Sequence, residues 1–156
     1  MLIEKDKRGI ELQLLYSDEN FSVPANVYII GMMNTADRSL AMLDYALRRR
    51  FSFFTMKPGF NTPGFQAYQD SLKNDALNKL IACVKQLNSK IVEDISLGEG
   101  FCIGHSYFCG LTPETANTHT LSSIVEYELI PLLKEYWFDE PANVIDWGDR
   151  LRSAVK

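Results

Sequence analysis

Gly31 to Phe51 reads GMMNTADRSLAMLDYALRRRF, and its two ends decide how the rest of the chain is taken. It is entered from Val27, Tyr28, Ile29 and Ile30, a continuous apolar run that suits a strand covered on both faces of a parallel sheet. Functional groups gather beyond the C-terminal edges of such strands. The polar residues NTADRS can cap a helix start, and Leu40, Leu43 and Leu47 follow at spacings of three and four, which predicts a short amphipathic helix. Arg48, Arg49 and Arg50 close that helix. Phe51, Phe53, Phe54 and Met56 then read as a further buried strand before Pro58 and Gly59.

Upstream, Ile10, Leu12 and Leu14 alternate with Glu11 and Gln13 and predict a half-buried strand after Gly9. Ser17 to Asn26 is a turn-rich connection in which Pro24 forbids a central strand. From Thr62 onward the pattern is helical. Leu77, Leu80, Ile81, Val84, Leu87 and Ile91 form a stripe of 3.6-residue period, which predicts one helix from about Ala76 to Asp94. A glycine-punctuated, β-like segment, LGEGFCIGHSYFCG, precedes a second helix from about Leu121 to Phe138, kinked at Pro131. A last helix follows Pro141, with Val144, Ile145, Leu151 and Val155 as core candidates. Tyr127, Tyr136, Trp137, Phe138 and Trp147 fall on the helical patterns and read as core rather than as base-stacking platforms. The chain thus divides into a strand-containing part to about Gly59 and a helical part from about Phe60. About three strands close a sheet poorly, so the pattern expects further sheet upstream.

Composition bounds the function. The 156 residues carry 46% apolar and 23% charged side chains and a net charge of −4, so there is no global basic footprint for nucleic acid. No apolar run reaches the roughly 18 to 20 residues that cross a bilayer, and MLIEKDKRG lacks the apolar centre of a signal peptide, so a cytoplasmic location is expected. Cys83, Cys102 and Cys109 are read as reduced thiols. Cys102, His105 and Cys109 give three potential zinc ligands without a second cysteine pair, and no metal site is expected from them.

Phosphoryl transfer needs a polar group to orient water and a cation to meet developing charge. Asn34 and Arg38 are of those chemical types, and Asp37 could accept from the water or hold Arg38. Met33 to Ser39, MNTADRS, resembles the signature element of the McrB family, AAA+ GTPase subunits of 5-methylcytosine-specific restriction systems. The resemblance implies that Asn34 is the sensor I residue, that Asn34 and Asp37 place the hydrolytic water, that Arg38 supports the site and that Thr35 lies against the nucleotide. It also implies arginine fingers at Arg48 and Arg49, acting on a neighbouring subunit's nucleotide, whereas Arg50, immediately before the expected buried strand, is expected to pair inside its own subunit. The plain alternative is that these arginines complement the helix macrodipole and that Asp37 or Ser39 merely caps the helix.

GHSYF, Gly104 to Phe108, resembles the lid segment of the same family, implying that His105 or Ser106 sits near the nucleotide or the lid interface. A histidine and a serine satisfied within a lid turn are the alternative. No GxxxxGK[ST] occurs, and no strand ending in paired acids precedes Met1. By resemblance the chain is therefore the C-terminal part of an AAA+ α/β module, residues 1–59, followed by a helical lid, residues 60–156, a mixed α+β chain. The complete parent would use GTP and Mg, form a ring with its neighbours, work with an McrC-like nuclease subunit and meet modified DNA through a domain absent here. The chain alone is expected to be inactive. A non-catalytic ring-interaction module and a fragment of a MoxR-type AAA+ ATPase are the competing readings.

Overall fold

The computed structural model describes residues 2–33 and 49–156, which fall into two compact units, Met1–Thr55 and Met56–Lys156. The expected helix bearing Leu40, Leu43 and Leu47 lies outside the described residues, as do Asn34, Thr35, Asp37, Arg38 and Arg48.

In the first unit, strand β1 (Leu12–Gln13) pairs antiparallel with β2 (Asn20–Phe21), with Leu12 opposite Phe21 and Gln13 opposite Asn20. The turn between them passes through Asp18 at φ +54°, a conformation that aspartate tolerates better than most residues. The alternating segment therefore does form a strand, but Ile10, Leu12 and Leu14 are exposed rather than half-buried. Two expected strands are corrected. Val27 to Ile30 and Phe51 to Met56 form no strand, and Tyr28, Ile30, Phe54 and Met56 are each more than four-fifths exposed. An apolar run becomes a strand only when a neighbour takes its amides and carbonyls, and no described segment pairs with either run.

The second unit is helical. Helix α1 (Pro63–Leu72) starts with Thr62, whose hydroxyl accepts from the Phe65 amide, and with proline at the first helical position. It stops at Lys73 in the left-handed region. Asn74 caps α2 (Asp75–Glu93) by accepting from the Leu77 amide at 2.8 Å. The stripe Leu77, Leu80, Ile81, Val84, Leu87 and Ile91 is wholly buried, as its period requires. Gly98 to Gly110 is not β-like. It folds into two 3₁₀ turns, Glu99–Phe101 and His105–Phe108, with Gly98 at φ +83° and Gly110 at φ +92° bounding them.

The next helical stretch begins as α3 (Thr118–Ile124), capped by Asn117, and continues through a π turn (Val125–Leu129) into α4 (Ile130–Tyr136). Pro131 has no amide to give the Tyr127 carbonyl, and a π turn immediately upstream accommodates that vacancy without ending the helix. The extra residue keeps Val125 and Leu129 inward along with Leu121, Leu133 and Trp137. Tyr127 and Phe138 face solvent at 80% and 82% exposure, correcting their core reading. The last helix, α5 (Pro141–Ala154), packs against α2 and α4. Its Leu151 and Trp147 are buried, as is Val155 just beyond it, whereas Ile145 is exposed, contrary to the pattern.

Candidate functional site

Arg49 and Arg50 are adjacent in sequence and differently used. Arg50 Nε donates to Glu4, while Arg49 is exposed. Glu4 also takes Lys7 Nζ at 2.8 Å, an i,i+3 pair that the 3₁₀ turn Lys5–Lys7 makes possible. Lys7 first and Arg50 second hold the Glu4 carboxyl down at about 2, so it is ionised throughout the neutral range.

These residues belong to a cleft of about 1030 Å³ within the first unit, whose walls include Glu4, Arg8, Tyr28, Arg49, Arg50 and Ser52. Arg8 is part of that wall, and its Nη1 is buried with no hydrogen-bond partner among the described residues. Arg8 gives no functional signal in the sequence, because a charged run such as EKDKRG usually marks a solvated face.

In the second unit His105 and Ser106 part company. His105 Nδ1 accepts the Gly59 amide at 3.0 Å, which places the imidazole proton on Nε2 in the neutral ring. The ring stands edge-on to Phe65 at 5.4 Å and to Phe60 at 6.2 Å between centroids. Glycine is required at Gly59 for this approach, because a Cβ there would lie 2.9 Å from His105 Cε1. Ser106 is exposed. His105 is thus part of an aromatic clamp on the segment leading into α1.

Two further polar residues hold the same loop and carried no functional flag in the sequence. Asn88 reads the Ile103 backbone in both directions, accepting its amide at 2.7 Å and donating to its carbonyl at 2.9 Å. The Tyr68 hydroxyl lies 2.9 Å from the Phe108 carbonyl and 2.8 Å from that of Leu111. An asparagine amid the α2 stripe was the visible signal for the first of these. Cys102 and Cys109 sit within the turns, where the Cys109 thiol faces the His105 carbonyl at 3.5 Å. The turns replace the extended geometry that would have sent Cys102 and His105 to opposite faces. No described helix is long and apolar enough to cross a membrane.

Residues 79–145, most of the helical unit, match the family described as McrB, alpha-helical lid domain. Over 161 aligned residues the chain is 48% identical to the type IV methyl-directed restriction enzyme EcoKMcrB subunit of Escherichia coli (strain K12), covering 97% of this chain and 35% of that protein. It is 32% identical over 91 residues to the type II restriction enzyme BsuMI component YdiS of Bacillus subtilis (strain 168), covering 54% of this chain and 26% of that one. The chain therefore spans about a third of the first relative and about a quarter of the second.

Proposed function

The chain is McrB-like, with the McrB type of lid in its helical unit, and from that premise we propose that it forms part of a GTP-hydrolysing AAA+ motor subunit of a modified-cytosine restriction system. Residues 1–59 belong to the α/β core in this reading, and residues 60–156 are the lid. Asn34 and Asp37 orient the attacking water, Arg38 supports them, Thr35 lies against the nucleotide, and Arg48 and Arg49 reach a neighbouring subunit's GTP. Mg²⁺ bound with GTP would supply charge neutralisation at the phosphates, and no residue of this chain is assigned to hold it. The ring neighbours, an McrC-like nuclease subunit and modified DNA complete the machine in the cytoplasm.

The unequal use of the two described arginines supports this reading most. Arg50 is spent on Glu4, whereas Arg49 stays exposed on a cationic cleft, as a residue serving another subunit must. A cation that meets transition-state charge in trans is worth about 10³ to 10⁵ in rate. The test is GTP turnover by the chain extended at its N-terminus with a GxxxxGK[ST]-bearing α/β segment from an McrB-like protein. Arg49→Ala should lower kcat by about 10³-fold or more while nucleotide binding persists. Unchanged kcat in Arg48→Ala and Arg49→Ala together would remove the finger assignment, and brisk turnover by the unextended chain would remove the shared-site account.

A further inference from the structure

Arg8 carries a cation that its surroundings, among the described residues, do not explain. Arg8 lines the cleft that Arg49 and Arg50 also line, and its buried Nη1 has no acceptor among the described residues. Leaving a guanidinium N–H buried and unpaired is costly, so such a group normally waits for a ligand that brings acceptors. The one carboxylate among the described lining residues does not serve it. Glu4 is already engaged by Lys7 and Arg50. Lys5, Arg8 and Arg49 therefore leave the described wall with an excess of positive charge in a protein whose net charge is −4.

We propose that Arg8 is a phosphate-binding residue, and that with Arg49 it grips the polyphosphate of a nucleoside triphosphate. The guanidinium fork matches phosphate oxygens, and the carboxylate that the described wall does hold, Glu4, is already engaged by Lys7 and Arg50. A compact polyphosphate suits the site better than a duplex. Duplex DNA requires cations spread along a surface, and outside this cleft the protein has more acids than bases. The inference rests on the reading of Arg49 as a residue that meets a nucleotide, and it adds a second contact from a different segment, the turn before Gly9.

The experiment is calorimetric titration of the 156-residue chain with inorganic tripolyphosphate, GTP and a 20-base-pair duplex, in the wild type and in Arg8→Gln, Arg8→Lys and Arg49→Ala. Tripolyphosphate and GTP should bind the wild type, and Arg8→Gln should weaken both by about tenfold or more. Arg8→Lys, which keeps the charge, should recover part of that loss, and circular dichroism identical to wild type shows that the loss is not misfolding. Undiminished binding in Arg8→Gln overturns the assignment; if Arg49→Ala still weakens binding, the finger reading stands without it. Duplex binding stronger than tripolyphosphate binding, or no binding of tripolyphosphate by the wild type, also overturns it, and the trans role of Arg49 is then judged on the turnover measurement alone.

Discussion

Asp94 ends α2 and gathers three donors: the Ser96 hydroxyl at 2.6 Å, the Ser96 amide at 2.8 Å and the Trp137 indole N–H at 2.7 Å. Trp137 is almost wholly buried, so its N–H depends on this carboxylate. The Ser96 hydroxyl first, and Trp137 second, hold the Asp94 carboxyl below the usual carboxylate range. A depressed carboxyl contributes stability that is full above its unfolded value of about 3.9 and is lost as pH falls through the folded value. The stability of wild-type protein should therefore fall with acid below about pH 4, and Asp94→Asn should flatten that fall; parallel urea midpoints from pH 2 to 6 would show the prediction wrong. The His105 clamp gives a second residue-scale expectation. Gly59→Ala drives a methyl into the imidazole and His105→Ala orphans the Gly59 amide, so each should cost about 1 to 3 kcal/mol by urea titration. An acceptor in His105→Asn should recover part of the second loss.

Among the elements, α2 organises the helical unit because its buried stripe and its caps agree. Leu87 is fully buried, with α5 as the helix packed most extensively against α2, and Leu87→Ala should destabilise the helical unit by about 2 to 5 kcal/mol in a thermal or urea melt. A loss near zero would mean that α2 is not the core helix. The caps and the stripe were legible in the sequence. Asn74 before an apolar period of 3.6 marks the start, and only one helix face can satisfy that period. The π turn was not legible. Proline announces an irregularity, but whether the helix kinks or widens depends on which register buries Val125 and Leu129 best against the rest of the unit. Arg152 adds to that choice, since it grips Glu126 of the π turn in a two-pronged pair at 2.6 and 3.0 Å.

At the scale of the whole molecule the two units differ in kind. Every buried apolar side chain of the described residues lies between Phe60 and Val155, whereas Leu15, Tyr16, Tyr28, Ile30, Phe53 and Phe54 of the first unit are exposed. Residues 56–156 should therefore fold alone with a cooperative urea transition and a helical circular-dichroism spectrum; a flat, non-cooperative melt would show that they do not. The sequence by itself determined the helical unit and the McrB resemblance, because period, caps and a contiguous motif are local properties of the chain. It also determined the chemical types at Arg49 and His105. Tertiary structure alone decided that Arg50 turns to Glu4, that His105 serves the Gly59 amide and that Arg8 Nη1 is buried without an acceptor among the described residues. The sequence was misleading for Val27 to Ile30 and Phe51 to Met56, since a strand is made by its neighbours' hydrogen bonds and not by its own apolarity. Those partnerships join residues 46 positions apart in both the Arg50–Glu4 and Gly59–His105 pairs, a separation that no local pattern can encode.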